Sequence, residues 1–282
     1  MTKWKIVADS GSNILEFTAP NNAFTYESVP LMLNIGTDVY VDNKDLDLNT
    51  LLDAMEKERT ASSSACPSPN AYAQAFEGAE NVLCFTLSSG LSGSYNSAML
   101  GANMLKETHP DVNLHIFDTL SAGAEMDLLV HKAFDLAQTG ISFDEMVRTL
   151  KEYHQHTDIV FMLESVDNLV KNGRLSKLVG SMIGLLGIRL IGVRTAEGKI
   201  ELATKAKGTK RAMKSLLEEM QKRGYQGGKV IVTHCLNPES ADNFRQLILD
   251  QYPQADISIL TMDGLCTYYA QRNGLLIGYE KN

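Results

Sequence analysis

The sequence lacks the paired cysteines and the excess of basic residues that mark several classes of protein. Its four cysteines, Cys66, Cys84, Cys235 and Cys266, form no C-x-x-C pair, which argues against a zinc ribbon or a thioredoxin-type site. We expect free thiols in a reducing cytoplasm. The formal net charge of −8 argues against nucleic acid or an anionic membrane surface as the main partner.

Long apolar runs are also missing. The N-terminal apolar run is too short for the core of a signal peptide. The most apolar later stretch, 178–193, contains several glycines and Arg189, and it is shorter than the ~20 residues that a membrane helix needs. We therefore expect a soluble cytoplasmic protein without stable membrane insertion.

No G-x-x-x-x-G-K-[ST] motif for a nucleotide and no evident carboxylate cluster for magnesium is present. His154 and His156 are two residues apart near a predicted helix end, so their rings diverge and do not suggest a metal site. We expect neither a metal nor a cofactor.

The length of 282 residues and the hydrophobic content of 44% allow two domains with sizeable cores. Predicted strands and helices alternate up to about residue 156, which favours an α/β unit with a mostly parallel sheet. Hairpins mixed with helices follow, which favours a two-layer α/β domain with a mixed sheet. We place the boundary between residues 1–156 and 157–282.

The segment Ser88–Ser94 joins a predicted strand, 82–87, to a predicted helix, 95–106. Such a Ser/Gly loop can present free backbone N–H groups at the positive end of the helix dipole, where an anion is favoured. The hydroxyls of Ser88, Ser89 and Ser92 can add hydrogen bonds. We predict that this loop holds the acidic head of a ligand.

Polar residues also follow other predicted strands. Ser62–Pro69 reads as a rigid loop one helix and one strand before the Ser88 loop, and parallel strands bring such loops to one sheet edge. Asp9 ends the first strand, where it either organises a site by hydrogen bonds or caps a loop. His234 ends a later strand.

Six segments, in order along nearly the whole chain, resemble motifs of the DegV family. Ile6–Ser10 resembles its Ile-Val-Thr-Asp-Ser, and Ser64–Pro69 its Thr-Ser-x-Pro-Ser-Pro. Ser88–Tyr95 is close to Ser-Ser-Gly-Leu-Ser-Gly-Thr-Tyr. Three more segments resemble the family's Asp-Ser, Leu-x-Lys-x-Gly-Arg-Ile and His-Ala-x-Asn-Pro-Glu; they are Asp118–Gly123, Leu169–Leu175 and His234–Glu239.

The resemblance implies a bacterial, non-enzymatic fatty-acid-binding protein that serves phospholipid metabolism. It implies an N-terminal three-layer α/β/α domain and a C-terminal two-layer α/β domain, with one long acyl chain buried between them. A separate fatty acid kinase would phosphorylate the carboxylate that the protein presents.

The resemblance also implies roles for individual residues. The carboxylate would meet Ser64 and the Ser88–Ser89–Gly90 segment, with Ser89 as first choice, and Arg174 would face the kinase or the head group. The ligand-binding and supporting residues are then Ser64, Ser88, Ser89, Gly90, Ser92, Tyr269, Arg174, Asp9 and His234.

Two positions depart from the family pattern. Ser64 stands where relatives have threonine, which keeps the hydroxyl. Tyr269 stands where many relatives have a histidine that contacts the carboxylate. A phenol donates a hydrogen bond but carries no positive charge near neutral pH.

The composition allows an apolar tunnel, since the chain has 12 methionines and the glycine-rich run 178–193. For that run, ligand wall and ordinary core are equally plausible interpretations, whereas any single methionine is better read as core. Burying about a dozen methylenes at ~0.8 kcal/mol each gives roughly 10 kcal/mol before ordering costs.

Two other functions stay open from the residues. A serine hydrolase would use Ser89 as nucleophile and His234 as base, but the loop lacks the G-x-S-x-G elbow. A subunit of a dihydroxyacetone-kinase-like enzyme would need a nucleotide site, for which the sequence shows no motif.

Overall fold

The computed structural model describes residues 2–58, 62–176 and 187–282. In these ranges the strands are β1 Thr2–Asp9, β2 Thr25–Val29, β3 Met32–Ile35, β4 Asp38–Val41, β5 Ser62–Ala65, β6 Ala79–Thr86, β7 Asn113–Asp118, β8 Thr157–Leu163, β9 Ile188–Arg194, β10 Ile200–Lys207, β11 Val230–His234, β12 Ile257–Thr261 and β13 Leu275–Glu280. The α-helices are α1 Leu48–Lys57, α2 Pro69–Ala75, α3 Ser94–Thr108, α4 Ala124–Ala137, α5 Phe143–Gln155, α6 Asp167–Lys171, α7 Thr209–Lys222, α8 Pro238–Leu249 and α9 Gly264–Ala270.

The N-terminal sheet consists of four parallel strands in the order β2-β1-β6-β7. The central strands β1 and β6 contain the continuous apolar runs Ile6–Ala8 and Val82–Phe85, because helices cover both faces of the sheet. One face packs against α2 and α3, with Val7 and Cys84 in that core. The other packs against α4 and α5, with Ile6 and Phe85. The predicted parallel α/β arrangement is confirmed.

The second large sheet is mixed, with six strands in the order β10-β9-β8-β13-β11-β12. Only β11 and β12 pair in parallel within it. Helices α7 and α8 cover one face. The other face meets α4 so closely that a Cβ on Gly278 would lie 2.4 Å from the Ala124 carbonyl oxygen. The predicted mixed sheet is confirmed.

A third, antiparallel sheet in the order β4-β3-β5 was not predicted in this form. The predicted single strand over 27–33 is two strands, because Pro30 lacks the N–H needed to continue a ladder. The predicted loop 62–69 begins with strand β5, in which Ser64 pairs with Leu33. Serine has a low strand propensity, but the neighbouring strand β3 overrides it.

Helix α9 was also missed by the sequence interpretation, since it spans only Gly264–Ala270. Its first turn is anchored by buried Asp42, whose Oδ2 accepts from the Leu265 N–H at 2.9 Å. Such a short helix depends on tertiary contacts rather than on its own propensity.

The predicted boundary at residue 156 falls between α5 and β8, the first strand of the six-stranded sheet. The division into two domains stays a prediction, because α4 also packs on β13. Within the predicted apolar run 178–193, residues 177–186 lie outside the described ranges, and 188–193 belong to β9. In the part of the chain that is described, no helix combines the length and apolar character needed to cross a membrane.

Candidate functional site

An apolar cavity of about 100 Å³, counted as the space open to the centres of water-sized spheres, lies between the two large sheets and is partly open to solvent. The large apolar side chains of its wall come from both halves of the chain: Leu87, Leu91, Leu120, Ile159, Phe161, Leu163, Leu169, Val193, Ile200, Leu265 and Leu276. Such a wall favours a long hydrocarbon group.

A hydroxyl pair, Ser64 and Tyr269, forms a polar place on this wall. The Ser64 Oγ lies 2.7 Å from the Tyr269 Oη, which joins strand β5 to helix α9. Burial raises the pKa of Tyr269, while the hydrogen bond with Ser64 and the charge of Arg174 act in the opposite direction. The phenol is therefore neutral near pH 7 and can donate a hydrogen bond to an anion.

Arg174 brings a positive charge to the same place. It lines the cavity, and its Nε donates to the Leu91 carbonyl oxygen at 3.0 Å while an Nη donates to the Asn172 carbonyl. Gly173 makes this geometry possible, because its φ of 72° ends α6 and turns the chain toward the cavity. Arg174 thus places a positive charge near the Tyr269 hydroxyl.

Ser92 also lines the cavity, and its Oγ is 3.0 Å from the Ser94 Oγ at the start of α3. The structure therefore brings together Ser64, Ser92, Arg174 and Tyr269 out of the predicted set. These residues come from four separate segments, and α9, which carries Tyr269, is the element that the sequence interpretation missed.

Ser88, Ser89 and Gly90 do not line the cavity. The buried Ser88 Oγ donates to the Gly198 carbonyl oxygen at 2.7 Å, in the turn between β9 and β10. A Cβ on Gly90 would lie 2.5 Å from the Glu197 carbonyl oxygen of that turn. Ser89, the first choice for the head group, is exposed. This segment therefore packs the two halves of the chain together.

The predicted cup of free N–H groups is wrong for most of the loop. The Ser89 N–H donates to Asp118 Oδ1 at 3.0 Å, and the Gly90 N–H donates to Ser88 Oγ at 3.1 Å. The Leu91 and Ser92 N–H groups donate to the Ser88 carbonyl, and the Ser94 N–H donates to Ser92 Oγ. The loop's own hydrogen bonds occupy amides that we expected to bind an anion.

Asp9 stabilises the start of the loop by accepting hydrogen bonds. Its buried carboxylate accepts from the N–H groups of Gly11 at 2.9 Å and Leu87 at 2.8 Å, and from the Tyr72 hydroxyl at 3.1 Å. Burial raises the pKa of Asp9 to about 6, although these hydrogen bonds favour the charged form. Asp9 thus ties the end of β1 to the end of β6, without lining the cavity.

His234 lies away from this site. Its Nδ1 accepts from the Asn237 N–H at 3.3 Å at the start of α8, and burial lowers its pKa. In ranges 2–58, 62–176 and 187–282, no hydrogen bond joins it to Ser89. The geometry therefore gives no support to a Ser89–His234 nucleophile and base. Among the described residues, no group of His, Cys, Asp or Glu could hold a metal ion.

The sequence interpretation missed several wall residues. They include Leu265, Cys266 and Ala270 on α9. Leu265 lies four residues before the predicted Tyr269, and Cys266 lies four before Ala270, so the four residues share the side of α9 that faces the cavity. That spacing was the available signal, but the 7 residues of α9 are too few to establish a helical period. Ser121, a buried residue after β7, also lines the wall.

The chain is similar to known proteins over nearly its whole length. The model of the family described as "Uncharacterised protein, DegV family" matches residues 3–281. A DegV domain-containing protein of Streptococcus pyogenes serotype M1 is 47% identical, covering 98% of this chain and 99% of that protein.

Two solved structures are also similar. One is the Streptococcus pneumoniae fatty acid kinase (Fak) B3 protein loaded with linoleic acid, at 44% identity, with 100% of each chain covered and a TM-score of 0.97. The other is a DegV family protein from Eubacterium eligens loaded with heptadecanoic acid, at 32% identity, with 99% of this chain and 100% of that chain covered and a TM-score of 0.95. The protein therefore belongs to the DegV family.

Proposed function

We propose that the protein binds one long-chain fatty acid, with the hydrocarbon chain in the cavity and the carboxylate beside Ser64 and Tyr269. The observation that carries this proposal is an apolar cavity whose wall includes a neutral hydroxyl pair within reach of the Arg174 charge. Two similar proteins were crystallised with linoleic and heptadecanoic acid, which supports this ligand class.

The two ends of the ligand contribute differently to affinity. Each buried methylene contributes ~0.8 kcal/mol, so the hydrocarbon chain supplies most of the binding free energy. Hydrogen bonds to a charged group add about 1.5–3 kcal/mol each and define the register of the chain in the cavity. Ser92 and Arg174 complete this head-group place.

Asp9, Ser88 and Gly90 have a supporting role in the proposal. They hold the loop after β6 against the β9–β10 turn, which keeps Leu87 and Leu91 in the cavity wall. Ser89 and His234, both predicted from the sequence, receive no contact with the ligand in this arrangement.

The protein acts, in our proposal, as a carrier in the cytoplasm and not as an enzyme. A separate fatty acid kinase phosphorylates the carboxylate, and Arg174 is half-buried at the place where the head group would be presented. The description of the 44% identical relative as a fatty acid kinase B3 protein supports this partner. Free cysteines fit a reducing compartment.

Denaturing mass spectrometry of protein purified from bacteria tests the ligand directly. We expect one long-chain fatty acid per chain, and delipidated protein should take up palmitate or oleate. Fatty acid methyl esters should bind more weakly, because they lack the charge that Ser64, Tyr269 and Arg174 recognise. Failure to extract any acyl chain, together with failure to take up either acid, contradicts the proposal.

A serine-directed phosphonate tests the competing hydrolase hypothesis. We expect no stoichiometric labelling of Ser89, because its hydroxyl has no hydrogen bond with His234 in the described structure. Stoichiometric labelling of Ser89 in the delipidated protein would overturn the carrier proposal in favour of the hydrolase.

A further inference from the structure

Phe161 lies in the middle of the cavity wall that the six-stranded sheet provides. It lines the cavity together with Ile159 and Leu163, which are two residues away on either side along β8. Phe161 pairs with Gly192 on β9 and with Leu276 on β13. Residues directly opposite one another in antiparallel strands share a face, so these three positions form one row across the side of the sheet that faces the cavity.

The Phe161 ring lies over the backbone of Gly192. A Cβ placed on Gly192 would lie 2.2 Å from the Cε2 and Cζ atoms of that ring, a separation that real side chains do not reach. The Glu201 carbonyl oxygen would lie 3.1 Å from the same Cβ, a tight contact that a small shift relieves. The ring is therefore the main obstacle to a side chain at position 192.

The backbone at position 192 does not itself require glycine. The φ of Gly192 lies outside the positive range that favours glycine, and β9 continues through it from Ile188 to Arg194. A glycine inside a strand weakens the strand, and it often marks a place where another group approaches the backbone closely. At Gly192 that group is the Phe161 ring.

The ring has no second place against the sheet. On the β13 side of Phe161 the row is occupied by Leu276, which packs against the core cluster that contains Phe161. Leu276 is itself held from behind, because its Cδ2 lies 2.9 Å from the position that a Cβ on Gly123 would take. A side chain at position 192 would therefore turn the ring away from the sheet and into the cavity.

We propose that Gly192 is a specificity-determining residue for the length of the acyl chain, because it lets the Phe161 ring lie on β9 and so leaves room for a long hydrocarbon chain. This inference rests on the proposed fatty acid function. The space open to the centres of water-sized spheres is only about 100 Å³, so the displacement of one aromatic ring changes the capacity of the cavity substantially. Close-packed walls offer few voids that could take up the ring instead.

Stability alone is the competing explanation for the pair of Gly192 and Phe161. An aromatic ring on a neighbouring strand can cover a glycine and compensate for its missing side chain. Both explanations predict that Gly192→Ala lowers the free energy of unfolding. Only the proposal predicts that the effect on binding depends on the length of the acyl chain.

The test measures the affinity of delipidated protein for saturated fatty acids of different length by titration calorimetry. Wild-type protein should bind stearic acid more tightly than the shorter myristic acid, because stearic acid buries more methylenes. Gly192→Ala should lower the ratio of the stearic to the myristic affinity about tenfold, the loss expected when roughly two methylenes no longer fit.

Phe161→Leu tests the ring directly, because leucine lacks the ring atoms that would meet the new Cβ. In the double variant with Phe161→Leu and Gly192→Ala, the ratio should return to within about twofold of its value in Phe161→Leu alone. Val160→Ala is the matched control, because Val160 is next to Phe161 on β8 but belongs to the core under α7 and α8. It should weaken the sheet without changing the ratio.

The inference is overturned if Gly192→Ala changes the affinities for stearic and myristic acid by the same factor, or if the shift persists in the double variant. Failure of the wild-type protein to bind any of these acids would instead contradict the proposed function. If Gly192→Ala does not fold, Phe161→Leu alone is decisive. It should raise the affinity for the longer arachidic acid relative to stearic acid about fourfold, the contribution of one further methylene, and an unchanged ratio overturns the inference.

Discussion

Two serine-bearing segments, Ser88–Gly90 and strand β5, use their hydroxyls in opposite ways. In the segment Ser88–Gly90, the Ser88 hydroxyl is buried and bonded to the backbone of the β9–β10 turn. In β5, the Ser64 hydroxyl faces the cavity and meets only another side-chain hydroxyl, that of Tyr269. The first segment joins the halves of the protein, and the second is available to a ligand.

This difference shows that the composition of a loop does not reveal where its hydrogen bonds go. A Ser/Gly loop before a helix is compatible with anion binding, but its amides have to be free. Here the loop satisfies its amides internally, partly through the Ser88 carbonyl. The β5 serines looked less promising in the sequence, yet strand pairing turns alternate side chains toward the same side and so aims Ser64 inward.

The largest expected effect tests whether the Ser88 segment is structural. Asp9→Ala should lower the free energy of unfolding by about 3 kcal/mol, because it leaves buried donors of Gly11, Leu87 and Tyr72 without an acceptor. Urea denaturation followed by circular dichroism measures this loss.

Asp118→Ala is the control for Asp9→Ala. Asp118 also accepts loop N–H groups, from Ser89 and Leu120, but it is only partly buried, so water can replace it. We expect a loss of about 1 kcal/mol or less. Equal losses for the two variants would show that Asp9 does not hold the loop more firmly than a surface acceptor.

A pH titration tests Asp263, the buried carboxyl just before α9, the helix that carries Tyr269. Burial, with Asp42 and Asp127 nearby, raises the pKa of Asp263, just before α9, from 3.8 to about 8. In the unfolded chain this carboxyl loses its proton near pH 4, whereas the folded protein keeps it. The folded state therefore binds the extra proton between pH 4 and 8, and its stability falls as the pH rises through that window.

Asp263→Asn removes this titration. Between pH 5 and 8 the free energy of unfolding of the variant should rise relative to wild type by about 2 kcal/mol. Chemical denaturation at each pH measures the difference. A difference that stays constant, or that shrinks with increasing pH, would contradict the raised pKa of Asp263.

The oleate affinity of variants shows directly which of the two serine segments contacts the ligand. Ser64→Ala and Tyr269→Phe should each weaken oleate binding about tenfold, which is ~1.4 kcal/mol, because each removes a hydroxyl from the proposed carboxylate place. Calorimetry with delipidated protein gives the dissociation constants. Each variant should bind oleate methyl ester almost as wild type does.

Ser89→Ala is the matched control for these variants, because it removes an exposed hydroxyl from the segment that the sequence favoured. Its oleate affinity should stay within about twofold of wild type. If Ser89→Ala weakens oleate binding more than Ser64→Ala does, the assignment of the two segments has to be reversed.

The fold followed from the sequence wherever a pattern was long and local. Helix α5 begins after Ser142, whose Oγ accepts from the Glu145 N–H, as its capping signal predicts. Strand β5 could not be predicted, because three serines form a strand only when β3 is beside them. Helix α9 is too short for a helical period and depends on Asp42, which is remote in sequence.

The site was predictable only in part. Ser64, Ser92, Arg174 and Tyr269 were named from motifs, and all of them line the cavity. The sequence did not reveal which serine hydroxyl makes a structural hydrogen bond. The Ser88 hydroxyl donates to the Gly198 carbonyl, which is more than a hundred residues away in sequence. Ser121 had no signal of its own, since its position on the wall depends on the packing of segments that are remote in sequence.

The contact between Ser88 and the β9–β10 turn gives the prediction with the smallest expected effect, a coupling between two positions. Gly198 has a φ of 70°, and a Cβ there would lie 2.2 Å from the Ser88 Oγ. Gly198→Ala should therefore destabilise the protein through backbone strain and through this collision. Ser88→Ala alone should also destabilise it, because the buried Gly198 carbonyl loses its donor.

A double-mutant cycle isolates the contact between the two positions. In the double variant the collision with the Ser88 Oγ is absent, so the combined loss of stability should be smaller than the sum of the single losses by about 1 kcal/mol. Thermal and urea unfolding of the four proteins gives this coupling. Additive losses would mean that the Ser88 side chain does not clamp the turn. The segment would then again be a candidate for the head group, and the contrast with Ser64 would disappear.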